Sequence, residues 1–288
     1  MTDTTYQKNI SPEWVNEELG KIRKTINPGD VEMMKKIISF MDLTTLNTQD
    51  NGTIVKNMIE KVNKFQSLYP GMPQVAAVCV YPNFVKDVKD TLTDKNVRIA
   101  CVTGGFPSSQ TFLSVKLVET NLAVEKGADE VDMVLSVGTF NEKDYTLCAD
   151  EITLIKTAAG KAHLKVILES GILSSLNDVR IASILAMEAG ADFIKTSTGK
   201  VEPAATPEAV FVMCDAIKDY YNKTGRKVGL KPAGGIATTP IAMEYAAIVK
   251  YVLGEEWLTP ELFRLGASRL ANHVLNAILK PEKEIKYF

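Results

Sequence analysis

From residue 40 onward the chain alternates short, nearly continuous apolar runs with longer stretches whose apolar residues recur at helical spacing. The short runs predict strands at 40–46, 75–81, 98–102, 130–135, 163–169, 193–197, 228–232 and 262–266. Helices are predicted between them, at 111–126, 144–159, 176–189, 207–224 and 239–253, several closing on a glycine that suits a left-handed cap. A strand opens roughly every 20 to 35 residues, the step of a repeated βα unit around a parallel sheet. Eight such units favour an α/β fold closed into a (β/α)8 TIM barrel over an open doubly wound sheet, although periodicity alone does not show closure.

Ahead of this alternation, after a polar start expected to be mobile, residues 12–38 carry Trp14, Leu19 and Ile22, then Val31, Met34, Ile37 and Ile38, at helical intervals. Asn27-Pro28-Gly29 divides them into two pieces. The expected organisation is an N-terminal helical extension (1–39) packed on the barrel, the barrel itself (40–280) and a short C-terminal tail (281–288). No low-complexity, glycine-rich or proline-rich seam marks a second domain.

With 288 residues, 45% of them apolar, the chain is long enough to bury the core of one such domain. A formal charge of -2, from 33 basic and 35 acidic residues, gives no electrostatic reason to expect nucleic acid or an anionic membrane. Small-molecule partners fit better. Cys79, Cys101, Cys148 and Cys214 are widely spaced, without a C-x-x-C pair or a signal-peptide pattern upstream, which points to the cytoplasm. Charged residues interrupt every hydrophobic segment before it reaches the length of a membrane span. His163 and His273 are the only histidines and neither has a partner at metal-ligand spacing, so no metal is expected. Trp14 and Trp257 read as packing residues.

The anomaly is charge inside strands that otherwise read as apolar: Lys165 in Leu164-Lys165-Val166, Lys195 in Ile194-Lys195-Thr196, Lys231 in Leu230-Lys231-Pro232 and Asp132 in Val131-Asp132-Met133. Parallel strands covered on both faces are normally apolar throughout, and lysine is almost never buried without a partner. Side chains alternate across a strand, so each charge faces either the helical layer or the barrel axis. The axis opens to solvent at the strand C-termini, where barrel enzymes keep their chemistry, and is the better choice. Three ammonium groups crowded there disfavour each other's charge, and desolvation disfavours all of them. Lowering one lysine from about 10.4 to about 7 corresponds to roughly 4 to 5 kcal/mol. The neutral amine so produced is a nucleophile toward carbonyls and forms Schiff bases. The competing reading for any one lysine is that it snorkels to the mouth and pairs with a carboxylate; three together argue against it.

Glycine-containing turns follow the last three predicted strands: Thr198-Gly199-Lys200, Ala233-Gly234-Gly235-Ile236 and Gly266-Ala267-Ser268-Arg269. Bare backbone N–H groups and a helix N-terminus at these places form the recurrent phosphate site of barrels, with Lys200 and Arg269 adding charge. A nucleotide P-loop is rejected, because the glycine it needs five positions before Gly199 is replaced by Ile194. The expected substrate carries a phosphate at one end and a carbonyl at the other. Cys79, in Val78-Cys79-Val80-Tyr81, reads by default as a small buried hydrophobe whose parity places it near the pocket.

Five segments resemble the signatures of the deoxyribose-phosphate aldolase family, in its eukaryotic branch: Asp42-Leu43-Thr44-Thr45-Leu46, Val78-Cys79-Val80-Tyr81-Pro82, Gly127-Ala128-Asp129-Glu130-Val131-Asp132, Phe193-Ile194-Lys195-Thr196-Ser197-Thr198-Gly199-Lys200 and Lys231-Pro232-Ala233-Gly234-Gly235. The resemblance runs in order from about residue 41 to 270. It implies reversible cleavage of 2-deoxy-D-ribose 5-phosphate to D-glyceraldehyde 3-phosphate and acetaldehyde, without metal or organic cofactor. By the same resemblance Lys195 forms the Schiff base, Lys231 holds its pKa down, and Asp132 relays protons. Lys165 is a supporting charge; Asp42, Thr44 and Leu46 line the pocket; Gly199, Lys200, Gly234, Gly235, Ile236, Gly266, Ser268 and Arg269 hold the phosphate. Two departures stand out. Ala237 occupies a position where many relatives have arginine, so that one phosphate contact is either missing or replaced by Arg269, and Tyr287, expected to reach the site as a proton shuttle, is penultimate rather than last. The architecture also suggests a homodimer or other homo-oligomer. Another Schiff-base sugar-phosphate aldolase or transaldolase is the nearest alternative; a non-catalytic sugar-phosphate-binding barrel is the alternative of a different class.

Overall fold

The computed structural model describes residues 8–288; the polar start expected to be mobile falls on residues 1–7, outside them. Helix α1 (Pro12–Arg23) opens with Ser11, whose side chain accepts the Trp14 backbone N–H, and with proline in the first turn, where no N–H is needed. Asp30 caps α2 (Val31–Ser39) in the same way, accepting from Met33. The break at Asn27-Pro28-Gly29 lies between the two helices, and Val15, Leu19, Ile22, Met34, Ile37 and Ile38 are buried.

Eight strands follow among the described residues: β1 (Met41–Thr44), β2 (Ala77–Val80), β3 (Arg98–Thr103), β4 (Glu130–Val134), β5 (His163–Ile167), β6 (Phe193–Lys195), β7 (Gly229–Lys231) and β8 (Leu265–Ala267). Helices α3 (Gly52–Leu68), α4 (Val85–Thr91), α5 (Leu113–Glu125), α6 (Val137–Asn141), α7 (Tyr145–Ala159), α8 (Leu176–Glu188), α9 (Pro207–Thr224), α10 (Thr239–Leu253) and α11 (Leu270–Leu279) connect or follow them. Each strand from β1 to β6 pairs in parallel with the next, and β1 also pairs with β8. Parallel bridges Leu230 to Phe263 and Ala233 to Gly266 join the remaining edges, so the sheet closes as a (β/α)8 barrel. Closure leaves no sheet edge to cover, and every strand C-terminus opens on one face.

The last three strands are shorter than their apolar patterns. The apolar run around 262–266 forms β8 only from Leu265, because Phe263 and Arg264 make the narrower seam with Leu230 instead. Alternation in the strands sorts the interior. Leu164, Val166, Ile194 and Leu230 join the large apolar cluster, while Leu46, Ala77, Cys79, Ala100 and Val102 form a separate small one. Gly229 on β7 makes room for its neighbour on β6: a Cβ there would lie 2.2 Å from the Phe193 ring. That buried ring sits 6.0 Å from the Lys165 ammonium and 5.7 Å from the Arg264 guanidinium, as a floor beneath charge.

Candidate active site

Period-two alternation turns Asp132 on β4, Lys165 on β5, Lys195 on β6 and Lys231 on β7 to the same interior. In register, Asp132 lies opposite Lys165, and Lys195 opposite Lys231. One oxygen of Asp132 accepts from Lys195 at 2.8 Å and from Lys231 at 2.7 Å, while the other accepts from Lys165 at 2.9 Å. Asp42 on β1 also lies 2.5 Å from Lys231 and 3.5 Å from Lys165. Two members were not singled out from the sequence. Glu130, two residues before Asp132 on the same face of β4, lies 2.5 Å from Lys165; Arg264 bridges Asp42 at 2.7 Å and Glu130 at 2.8 Å. The i, i+2 spacing from Asp132 was the available signal for Glu130.

Among the described residues, this sealed cluster therefore joins four cationic groups to three carboxylates, with the half-exposed His163 reaching Glu130 only at 3.9 Å. Full ionisation would leave one positive charge uncompensated in a poorly solvated interior, which is costly. The least costly neutral group is the one with the weakest share of carboxylate. Burial disfavours the charged form of both Lys195 and Lys231. For Lys231 the carboxylates of Asp132 and Asp42 outweigh burial and hold its pKa above the ordinary lysine value. Lys195 has only its share of Asp132, and burial, helped by the Lys231 charge, sets its pKa below the ordinary value. Lys165 is also raised, since Asp132, Glu130 and Asp42 outweigh its burial. Asp132 stays well below the usual carboxylate range: burial opposes this, but the three lysines prevail.

Above this cluster, at the C-terminal face, a cavity of about 360 Å³ opens. Of the cluster, Lys195 alone lines it; Lys165, Lys231, Asp132 and Asp42 lie sealed beneath. Thr44 and Leu46 form one wall, as expected, with Asn47 added. Thr198, Gly199 and Lys200 form another, and Gly234, Gly235, Ile236, Gly266, Ser268 and Arg269 line the end farther along the barrel's last loops. Ala237 lines the same cavity, contributing a methyl group where charge is absent. Gly199 and Gly234 meet backbone to backbone: a Cβ on Gly234 would lie 2.6 Å from Ala204 Cβ and 3.1 Å from Gly199 Cα, and both residues have positive φ. The Lys200 ammonium donates to the Leu46 carbonyl, reaching across the mouth from the β6 loop to the β1 loop.

Three expected residues sit elsewhere: Asp42, expected to line the pocket, is held beneath it by Lys231 and Arg264. Cys79 faces the interior, as its parity required, but is sealed in the small apolar cluster, and burial pushes its thiol pKa up. Tyr287 does not reach the cavity. Its hydroxyl donates to the Lys61 carbonyl on α3, its ring packs with Phe65, Tyr69 and Phe288, and its backbone N–H donates to Asn272. The aromatic contacts hold the tail on the outside of the helical layer, which corrects the shuttle expectation.

A closed parallel barrel with a single buried amine exposed at the floor of a glycine-walled cavity defines a barrel enzyme of the lysine-dependent kind. Residues 36–248 match the DeoC/LacD family aldolase profile, and the chain belongs to that family. It is 41% identical over 285 residues to a putative deoxyribose-phosphate aldolase of Caenorhabditis elegans, covering 95% of this chain and 92% of the relative. To the deoxyribose-phosphate aldolase of Homo sapiens it is 42% identical over 249 residues, covering 83% and 78% respectively. The crystal structure of a putative deoxyribose-phosphate aldolase from Coccidioides immitis superposes with a TM-score of 0.71 at 25% identity, covering 93% of this chain and 98% of that one.

Proposed function

We propose that the protein is a deoxyribose-phosphate aldolase that cleaves 2-deoxy-D-ribose 5-phosphate to D-glyceraldehyde 3-phosphate and acetaldehyde through a Schiff base on Lys195. The observation that carries this reading is that Lys195 alone of the buried ionic cluster lines the cavity, and that its pKa is set below the ordinary lysine value. Homology over most of the chain names the substrate class.

Cleavage follows from the geometry. The neutral Lys195 amine attacks C1 of the open-chain aldehyde, and the carbinolamine loses water to give a protonated imine. Loss of the C3 hydroxyl proton then breaks the C2–C3 bond, and its electron pair flows into the imine to give an enamine and glyceraldehyde 3-phosphate. Protonation at C2 and hydrolysis release acetaldehyde and return the free amine. Asp132, in contact with both Lys195 and Lys231, relays the protons, and the charged Lys231 favours the neutral state of Lys195 before each turnover. Lys165, Arg264, Glu130 and Asp42 hold the relay in place through the ion pairs described above. Thr44 and Leu46 bound the sugar. Gly199, Lys200, Gly234, Gly235, Ile236, Gly266, Ser268 and Arg269 hold the phosphate at the far end of the cavity, where Arg269 supplies the charge that Ala237 does not.

The partner is thus a small phosphorylated sugar and its aldehyde products, and the assembly a homodimer. Phe112, Val115, Val118 and Leu122 on or beside α5 are exposed apolar side chains at helical spacing, a face that supports self-association. No helix among the described residues is long and apolar enough to cross a membrane. The four cysteines are buried free thiols, which supports a cytoplasmic setting. A coupled assay that detects glyceraldehyde 3-phosphate tests the reading: deoxyribose 5-phosphate should be cleaved at the same rate with and without chelator. No cleavage, or cleavage abolished by chelator, would refute it.

A further inference from the structure

Glu169, two residues beyond β5, has a backbone conformation that side chains rarely adopt. Its φ of 53 and ψ of 51 are left-handed, although it is not glycine. Backbone bonds lock the segment on both sides: the Leu168 N–H donates to the Lys195 carbonyl, and the Ser170 N–H to the Thr196 carbonyl. Glu169 is therefore pinned beside the strand that carries the reactive lysine, with its side chain buried at 3% exposure.

That buried carboxylate takes no part in the ionic cluster beneath the cavity. One of its oxygens accepts the Thr198 backbone N–H at 3.1 Å, and the other accepts the Thr198 hydroxyl at 2.6 Å. With its proton committed to Glu169, the Thr198 hydroxyl turns a lone pair to the Lys200 backbone N–H, accepting it at 3.1 Å. A three-residue relay thus runs from Glu169 through Thr198 to Lys200, and it fixes the turn whose centre is Gly199. A negative group near an anion site costs affinity by repulsion, so its benefit there must come through geometry.

We infer that Glu169 is a positioning residue for the phosphate end of the substrate: it shapes the Thr198-Gly199-Lys200 turn through Thr198 and does not touch the reacting atoms. The inference rests on the aldolase reading for its substrate and on the cavity geometry for its site. It separates Glu169 from Lys195 function, since the floor of the cavity is held by Asp132 instead.

The test compares Glu169→Gly with Glu169→Gln in the full chain. Glycine adopts the left-handed backbone freely, so Glu169→Gly removes the carboxylate without straining the turn. It should raise KM for deoxyribose 5-phosphate and weaken calorimetric binding of inorganic phosphate by about tenfold, with kcat within about twofold. Cleavage of unphosphorylated deoxyribose should be unchanged. Glutamine still accepts the Thr198 N–H and donates to its hydroxyl, so Glu169→Gln should restore most of the loss; Thr198→Val should reproduce it from the other end of the relay. Unaltered phosphate binding and KM in Glu169→Gly would overturn the inference, as would a parallel loss for both substrates. If the unmodified protein binds phosphate but cleaves nothing, the aldolase reading fails while the phosphate comparison still decides the role of Glu169. Absence of phosphate binding by the unmodified protein overturns the inference directly.

Discussion

Lys116 and Lys195 are both buried, at 1% and 3% exposure, yet the negative charge around them is shared out differently. Lys116, on α5, has a carboxylate to itself: it donates to both oxygens of Glu151 on α7 at 2.9 Å, and further to the hydroxyls of Ser109 at 2.7 Å and Ser136 at 3.1 Å. All of its donor capacity is used, and the result is a tether between two helices and two loops. Lys195 has half of one contested oxygen, which it divides with Lys231, and it opens on a cavity. Burial alone therefore does not make a lysine a nucleophile. The deciding quantity is the number of carboxylates available per ammonium, and the barrel interior is one short of neutralising all of its cations.

The comparison breaks most visibly at Lys195 itself. Lys195→Met should abolish cleavage of deoxyribose 5-phosphate in the coupled assay, because the only other amine lining the cavity, that of Lys200, is engaged by the Leu46 carbonyl at the mouth. Retained activity would move the chemistry elsewhere. A smaller effect sharpens the charge argument. The Lys231 ammonium lowers the Lys195 pKa, whereas Asp132 raises it. Lys231→Met should therefore move the acid limb of imine formation to higher pH. A limb that stays in place, or moves down, would remove Lys231 from the account. The smallest catalytic effect belongs to Lys116→Met, which strands a largely buried Glu151. Stability in urea should fall by about 3 kcal/mol, while kcat/KM at a temperature that keeps the variant folded stays within about twofold.

The sequence made the anomaly at Lys195, Lys231, Lys165 and Asp132 visible for a physical reason: a charge in an apolar run with strict period two has only two faces to choose from. The same logic delivered the closed parallel sheet and the glycine turns at its C-terminal rim. It did not single out Arg264: the strand predicted at 262–266 contains that residue, but in the fold it lies in the seam just before β8, and only its ion pairs reveal its place in the cluster. Glu130 opens β4, where a charge ordinarily marks the exposed end of a strand; the i, i+2 spacing from Asp132 gave its face, but its position at the strand end masked its burial. Tyr287 was misplaced because a tail's destination depends on a surface, the aromatic pair Phe65 and Tyr69, that is assembled only in the fold. Glu169 falls at the end of the strand predicted at 163–169, since a left-handed residue that is not glycine leaves no mark in the pattern.

Reductive trapping tests the shared-carboxylate account most directly. Incubation with acetaldehyde and borohydride, followed by peptide mapping, should place an N-ethyl group on Lys195 and leave Lys231, Lys165 and Lys116 unlabelled. Label on Lys231 or Lys165, with Lys195 untouched, would contradict it.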